Sequence, residues 1–131
     1  MRALDTNVLL RYFIADDPRQ ALAAKRLIET CTADSPAFIN TIVLCEVIWI
    51  LKIKYDYDKS LLAGTLEKIL EAEQLQVENA AAVQVALGLY RNHKVDFTDA
   101  LIGVINRQSG CSKTATFDKQ AAKLAEFQLL S

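Results

Sequence analysis

The sequence contains few of the residues from which metal clusters and covalent cross-links are usually built. Its 131 residues include a single histidine, His93, so a zinc site built from several histidines is excluded. The three cysteines, Cys31, Cys45 and Cys111, are far apart and form no CxxC pair. An odd number of widely spaced cysteines favours reduced thiols in a cytosolic protein over a disulfide framework.

Long apolar runs are also missing. The densest one, residues 42–51, is interrupted by Glu46 and is shorter than the roughly 18 apolar residues that a membrane-spanning helix needs. The N-terminus lacks the long apolar core that marks a signal peptide. We therefore expect a cytoplasmic protein with no membrane segment.

The sequence has no excess of basic residues, which is the usual mark of a non-specific nucleic-acid binder. Lys and Arg total 15 and Asp and Glu total 16, which gives a net charge of −1. A nuclease with this balance needs another source of local positive charge, and a bound metal ion provides one. The basic residues that are open to two interpretations, phosphate contact or solvated surface, are Arg11, Lys52, Lys54 and Arg107.

Short apolar segments alternate with longer helical segments along the chain. The predicted strands are residues 2–5, 37–39, 75–77, 114–117 and 127–130, and the predicted helices are residues 6–13, 18–30, 41–55, 58–73, 79–91, 96–109 and 118–126. Such alternation predicts an α/β fold in which a short-stranded parallel sheet is flanked by helices. No repeat or linker interrupts the pattern, so we expect a single domain over residues 1–131.

Two aspartates follow predicted strands. Asp5 comes at the end of the first strand and Asp118 at the end of a late one. Functional groups of open parallel sheets gather at the carboxyl ends of the strands, so the two carboxylates face one crevice if their strands are neighbours. The alternative is structural, because each aspartate also stands where a helix N-cap is expected.

Glu46 is the most informative single residue. It interrupts a helix that is otherwise apolar nearly all round, so we expect the side chain to be buried. An ionised carboxylate in such a place costs several kcal/mol unless a metal or a cation compensates it. The nearest cation along the chain is Lys52, more than one turn away, which favours a metal or catalytic role over a local ion pair.

The segment DFTDALIG brings two further carboxylates to a helix start. Asp96 and Asp99 are three residues apart and share one face of the predicted helix. A capping role explains Asp96 better than Asp99, which leads directly into an apolar stretch. Gly103 lies one turn further on and allows close approach of backbone or substrate.

Several carboxylates in one pocket repel each other, and a hard divalent cation removes that repulsion. Magnesium prefers oxygen ligands and keeps several of its waters. It stabilises charge on a phosphate and lowers the pKa of a bound water, which suits cleavage of a phosphodiester bond. The acidic residues therefore favour a magnesium-dependent nuclease.

Four motifs resemble those of PIN domains, in particular the VapC-type toxins of toxin–antitoxin pairs. They are LDTNVLLR at residues 4–11, CEV at 45–47, DFTDALI at 96–102 and TFD at 116–118. All four occur in the family's order and cover essentially the whole chain, so the set is more specific than any one motif.

The resemblance implies a three-layer PIN-like fold and a ribonuclease that uses Mg²⁺ or Mn²⁺. It also implies a homodimer and inhibition by a partner antitoxin. By the same resemblance the catalytic and metal-binding residues are Asp5, Glu46, Asp99 and Asp118, the auxiliary acid is Asp96, and the supporting hydroxyls are Thr6 and Thr116. Leu9, Leu10, Tyr12 and Phe13 of the first helix belong either to the core or to a surface for these partners.

Three other functions remain open. A PIN nuclease can process RNA in a housekeeping role without an antitoxin, and a PIN-like module can act through partners without catalysis. An aspartyl-phosphate enzyme with Asp5 as nucleophile is disfavoured, because no second acid stands two residues later to act as general acid.

Overall fold

The computed structural model describes all of residues 1–131. It contains six α-helices, five short strands and one 3₁₀ turn at Ala121–Lys123. The helices are α1 (Thr6–Phe13), α2 (Pro18–Glu29), α3 (Thr41–Lys54), α4 (Lys59–Glu71), α5 (Ala80–Asn92) and α6 (Phe97–Gln108). The strands are β1 (Arg2–Ala3), β2 (Ala37–Ile39), β3 (Leu75–Val77), β4 (Thr114–Thr116) and β5 (Phe127–Leu129).

The chain divides into two compact units, Met1–Ala80 and Ala81–Ser131, each with its own parallel sheet. The first unit holds the three-stranded sheet in the order β1-β2-β3, and the second pairs β4 with β5. The predicted α/β arrangement with parallel strands is confirmed, with the strands distributed over two sheets. No helix is both long and apolar enough to cross a membrane.

The core of the first unit explains why α3 is so apolar. One side of this helix is buried through Val43, Leu44, Val47, Ile48 and Leu51, which recur at helical spacing. The opposite side is solvent-exposed although it also carries large apolar residues. The expectation that this helix is buried all round is therefore wrong.

Polar caps fix the start of α3. The side chain of Asn40 accepts a hydrogen bond from Val43 N at 2.8 Å, and Glu78 Oε1 accepts one from Thr41 N at 2.8 Å. The bond from Thr41 N lowers the pKa of Glu78 below its ordinary value. Because Glu78 directly follows β3, this contact ties the end of that strand to the first turn of α3.

The predicted helix over residues 118–126 is largely wrong, since only the single 3₁₀ turn forms there. The physical reason is the parallel pairing of β4 with β5, which requires residues 117–126 to return the chain to the start of β4. Thr114 N donates to Glu126 O at 2.8 Å and closes this return. Parallel crossovers usually need a dozen or more residues, so this short one has room for one turn only.

Candidate active site

Asp5 stands between β1 and α1 and caps the helix. Its backbone is extended, and Oδ1 accepts a hydrogen bond from Val8 N at 3.0 Å. The carboxylate is exposed, and its second oxygen makes no hydrogen bond within the chain. Asp5 thus caps α1, as the structural alternative predicted, but the cap uses only one of its two carboxylate oxygens.

Glu46 lies at the middle of α3 and is held by the first residue of α1. Thr6 donates from Oγ1 to Glu46 Oε1 at 2.9 Å, so the carboxylate is fixed close to the residue that follows Asp5. The predicted burial of Glu46 is wrong, because the side chain lies on the exposed face of α3. Because Glu46 is exposed, the cost of burying its charge no longer supports a metal-binding role. The support comes instead from the hydrogen bond with Thr6, which fixes the position of the carboxylate. Glu46 makes no ion pair.

Asp118 organises the turn after β4. Its Oδ1 accepts from Gln120 N at 2.8 Å and from Ala121 N at 3.2 Å, while its own backbone N–H donates to Thr116 Oγ1 at 3.0 Å. Thr116 therefore supports Asp118 through the backbone rather than through the carboxylate. As with Asp5, the second carboxylate oxygen has no hydrogen bond within the chain.

Asp96 and Asp99 stand at the start of α6. Asp96 is exposed and occupies the N-cap position, but its side chain makes no capping hydrogen bond with the helix. The prediction that the Asp96 side chain caps α6 is therefore wrong, although Asp96 does occupy the N-cap position. Asp99 lies in the first turn and is half-buried between the buried residues Phe97 and Ala100.

Gly103, one turn after Asp99, is explained by packing rather than by an approaching substrate. A Cβ atom at this position would lie 2.5 Å from Phe127 Cε2 and 3.1 Å from Glu126 Cβ. The aromatic ring of the first residue of β5 thus rests directly on the backbone of α6. Only glycine leaves room for it.

The carboxylates of the first unit offer oxygen donors that suit a hard cation. In Asp5 and Glu46, one oxygen is held by a hydrogen bond and the other is left over. Within the second unit, Asp118 also keeps one oxygen without a hydrogen bond. No three His, Cys, Asp or Glu side chains form a ready-made metal cluster. Magnesium is commonly bound through one or two carboxylates and several waters, so the available oxygens fit this ion.

Arg11, at the other end of α1, belongs to a polar network that sequence reasoning largely missed. Its Nη1 donates to Asp16 Oδ1 at 2.7 Å and its Nε donates to Gln20 Oε1 at 3.1 Å. Tyr55 donates to Asp16 Oδ2 at 2.5 Å. This bond lowers the pKa of Asp16, with the charge of Arg11 acting in the same direction, and contact with Tyr55 raises the pKa of Arg11.

The only sign of this network in the sequence was Arg11, a basic residue six positions after Asp5. Gln20 and Tyr55 gave none, because their role depends on how α1, α2 and the end of α3 pack. Of the apolar residues on α1, Leu9 and Leu10 are buried in the core and Tyr12 is exposed, so only part of that set is available to partners.

Comparison with known proteins identifies the family of the chain. The PIN domain family model matches residues 2–127. The chain is also 24% identical over 124 residues to a VapC ribonuclease of Aquifex aeolicus (strain VF5), an alignment that covers 95% of this chain and 92% of the relative. The resemblance drawn from the four motifs is confirmed. This chain belongs to the PIN-domain family.

Proposed function

We propose that this protein is a metal-dependent ribonuclease and the toxin of a toxin–antitoxin pair. The observation that carries the proposal is the hydrogen bond from Thr6 to Glu46, which fixes one family acid next to the residue that follows another, Asp5. Family membership and the similarity to a VapC ribonuclease support the same reaction class.

The residues proposed to hold Mg²⁺ or Mn²⁺ are Asp5, Glu46, Asp99 and Asp118. Such an ion supplies Lewis acidity toward the phosphate and a water of lowered pKa. The chain's own contribution is orientation. Thr6 keeps the Glu46 carboxylate from rotating, and the backbone bonds to Asp5 and Asp118 do the same for those groups.

Cleavage assays with purified protein test the metal and the acids together. RNA should be cut with Mg²⁺ or Mn²⁺ and left intact in excess chelator. Asp99→Asn should abolish cleavage, while the matched variant Asp96→Asn should keep measurable activity, because we assign Asp96 an auxiliary role. Undiminished cleavage in chelator would contradict the metal mechanism, and the reverse order of the two variants would contradict the assignment.

A homodimer is part of the proposal, and the outer face of α3 supports it. Ile42, Trp49 and Ile53 are 70%, 61% and 56% exposed and lie seven and four residues apart on one side of the helix. Glu46 lies between Ile42 and Trp49 on this face, so the apolar side chains flank the proposed metal ligand. Large exposed apolar side chains grouped on one helix face are typical of a protein–protein surface. Light scattering should give a dimer mass for the wild type and a monomer mass for Trp49→Glu. A wild-type monomer at high concentration would refute this part.

The presence or absence of an antitoxin partner decides the biological role of the nuclease. A toxin has an antitoxin, whereas a housekeeping PIN nuclease has none, so gene neighbourhood discriminates between them: a small upstream gene for a DNA-binding protein supports the toxin. A protein that cleaves no RNA under any metal condition would instead act as a binding module. We propose a cytoplasmic location, where thiols such as those of its three cysteines stay reduced.

A further inference from the structure

A pocket opens between α1 and α2 and begins at Asp5. Its volume is about 340 Å³, within the range of sites that bind small organic groups. Its apolar lining comes from Val8, Ala23, Ala24 and Leu27. Its polar lining comes from Asp5, Asn7, Arg11 and Gln20.

Arg11 and Gln20 form a polar wall of the pocket. Their existing hydrogen bonds determine which donors this wall offers to a ligand. Gln20 Oε1 already accepts from Arg11 Nε, so the amide N–H groups of Gln20 remain for the pocket. A guanidinium has five N–H groups, and the contacts of Arg11 with Gln20, Asp16 and Tyr55 leave two of them for a ligand. The wall is therefore rich in donors, and it suits a ligand edge with two adjacent acceptors.

Charge decides between a phosphate and an uncharged group. The positive charge of Arg11 is paired with Asp16 at 2.7 Å, and Asp5 adds a negative charge at the pocket's edge. A phosphate would meet a wall with no net positive charge. A neutral, planar, polar group with apolar faces matches both the charge and the lining.

The position of the pocket next to Asp5 indicates which molecule supplies a neutral, planar, polar group. Asp5 and Arg11 are six residues apart, which is about 9 Å along a helix. A strand of RNA whose phosphate is held at Asp5 therefore passes this pocket with a neighbouring nucleotide. Proteins read single-stranded RNA by taking splayed bases into such pockets and bonding to their edges.

We propose, on the basis of the ribonuclease function argued above, that this pocket binds one base next to the scissile phosphate and selects guanine. Guanine presents two acceptors, O6 and N7, side by side, which is the pattern that arginine recognises best. Adenine presents a donor in place of O6. The pocket thus sets sequence preference, while the acids carry out cleavage.

A binding experiment in excess chelator tests the pocket apart from cleavage. The probes are the trinucleotides UGU, UAU and UUU, and the readout is the NMR signals of the Gln20 side-chain amide and of Arg11 Nε–H. UGU should shift these signals and bind about 5- to 150-fold more tightly than UAU, the range of one bidentate base contact. Equal affinities, or shifts confined to other residues, would overturn the inference.

Two variants examine the lining. Ala23→Leu fills the pocket from an exposed position, and Gln20→Met removes the amide donors at similar size. Both should reduce the preference for UGU over UAU, while Ala81→Leu, a matched change at an exposed alanine of α5, should leave it unchanged. Melting curves verify that each variant is folded. An unchanged preference in the folded Ala23→Leu protein would also overturn the inference.

The outcomes separate this inference from the proposed function. Metal-dependent cleavage without guanine-selective binding at Gln20 refutes the pocket and leaves the nuclease. Selective binding of UGU without cleavage of any RNA refutes the nuclease and leaves the pocket. If none of the trinucleotides shifts the Gln20 signal and a protein partner does, the pocket is a protein docking site and the inference fails.

Discussion

Two helices of this protein begin alike in sequence and differently in structure. Both α1 and α6 are preceded by an aspartate at the N-cap position, Asp5 and Asp96. Asp5 accepts a hydrogen bond from Val8 N at 3.0 Å, whereas the side chain of Asp96 makes no capping bond with its helix. The same residue type at the same position thus makes a capping bond at one helix start and not at the other.

Capping of a helix leaves room for ligand binding by the same carboxylate. The sequence presented them as alternatives for Asp5, but the cap uses one oxygen and leaves the second. At α6 the capping explanation fails, and the helix is instead fixed further along, where the Phe127 ring packs on Gly103. Substitutions at the two helix starts should therefore affect RNA cleavage and the free energy of unfolding to different extents.

The largest expected effect is on activity at the start of α1. Asp5→Asn keeps a side-chain oxygen for the cap, since asparagine and aspartate cap about equally well, but it loses the charge. We expect RNA cleavage to fall by about a hundredfold or more, the scale on which loss of one electrostatic partner of a transition state is felt. Melting temperature should change little. A parallel loss of stability would show that the charge, and not the oxygen, holds the helix start.

The next effect concerns what fixes α6. Gly103→Ala places a methyl group 2.5 Å from the Phe127 ring, so the ring or the helix must move. Overpacking of this kind costs about 1–3 kcal/mol, measured by denaturant unfolding. Gly88→Ala in α5 is the control, because nothing lies within 4 Å of its Cβ, and it should be neutral or stabilising. Equal behaviour of the two variants would contradict the packing explanation.

A smaller effect compares the two caps directly. Asp5→Ala removes a capping bond and should lower the free energy of unfolding by about 0.5–2 kcal/mol. Asp96→Ala removes no capping bond, so only the other contacts of Asp96 are lost, and we expect a smaller decrease. Chemical denaturation of both variants in chelator measures the difference without a metal contribution. A larger loss for Asp96→Ala would reverse the comparison.

The smallest effect is the pH dependence of the network at the C-terminal end of α1. The hydrogen bond from Tyr55 lowers the pKa of Asp16 in the folded protein. A lowered folded pKa contributes stability above the unfolded value, and this contribution is lost as pH falls through the folded pKa. Tyr55→Phe should therefore melt lower than wild type at neutral pH, with the gap closing below about pH 3.9, the unfolded value. A gap that is constant with pH would exclude this origin.

The sequence predicted the elements well because local signals agree with the tertiary structure in most of the chain. The Asp17–Pro18 start of α2 and the Gly110 end of α6 are examples, the latter with a φ of 97° that favours glycine. The exception is the segment 118–126, where the short return to β5 overrides helical propensity. Propensity is local, while a crossover is fixed by the pairing of distant strands.

The sequence supplied candidate residues for the site but not their burial or their contacts. Family motifs identified Asp5 and Glu46, and the structure relates the two through Thr6. The burial of Glu46 was wrong because an apolar helix was taken to be buried on every side, whereas α3 keeps one apolar face outside. The partnership of Arg11 with Gln20 had no sequence signal, since it depends on the packing of two helices.

The bond from Thr6 to Glu46 also limits how protons move during cleavage. A threonine hydroxyl has a single proton, and here it points at a carboxylate oxygen 2.9 Å away. Thr6 can therefore still accept a hydrogen bond but has no proton to give to a departing oxygen. In the proposed reaction the leaving group thus takes its proton from a group other than Thr6, whose hydroxyl holds the Glu46 carboxylate in place.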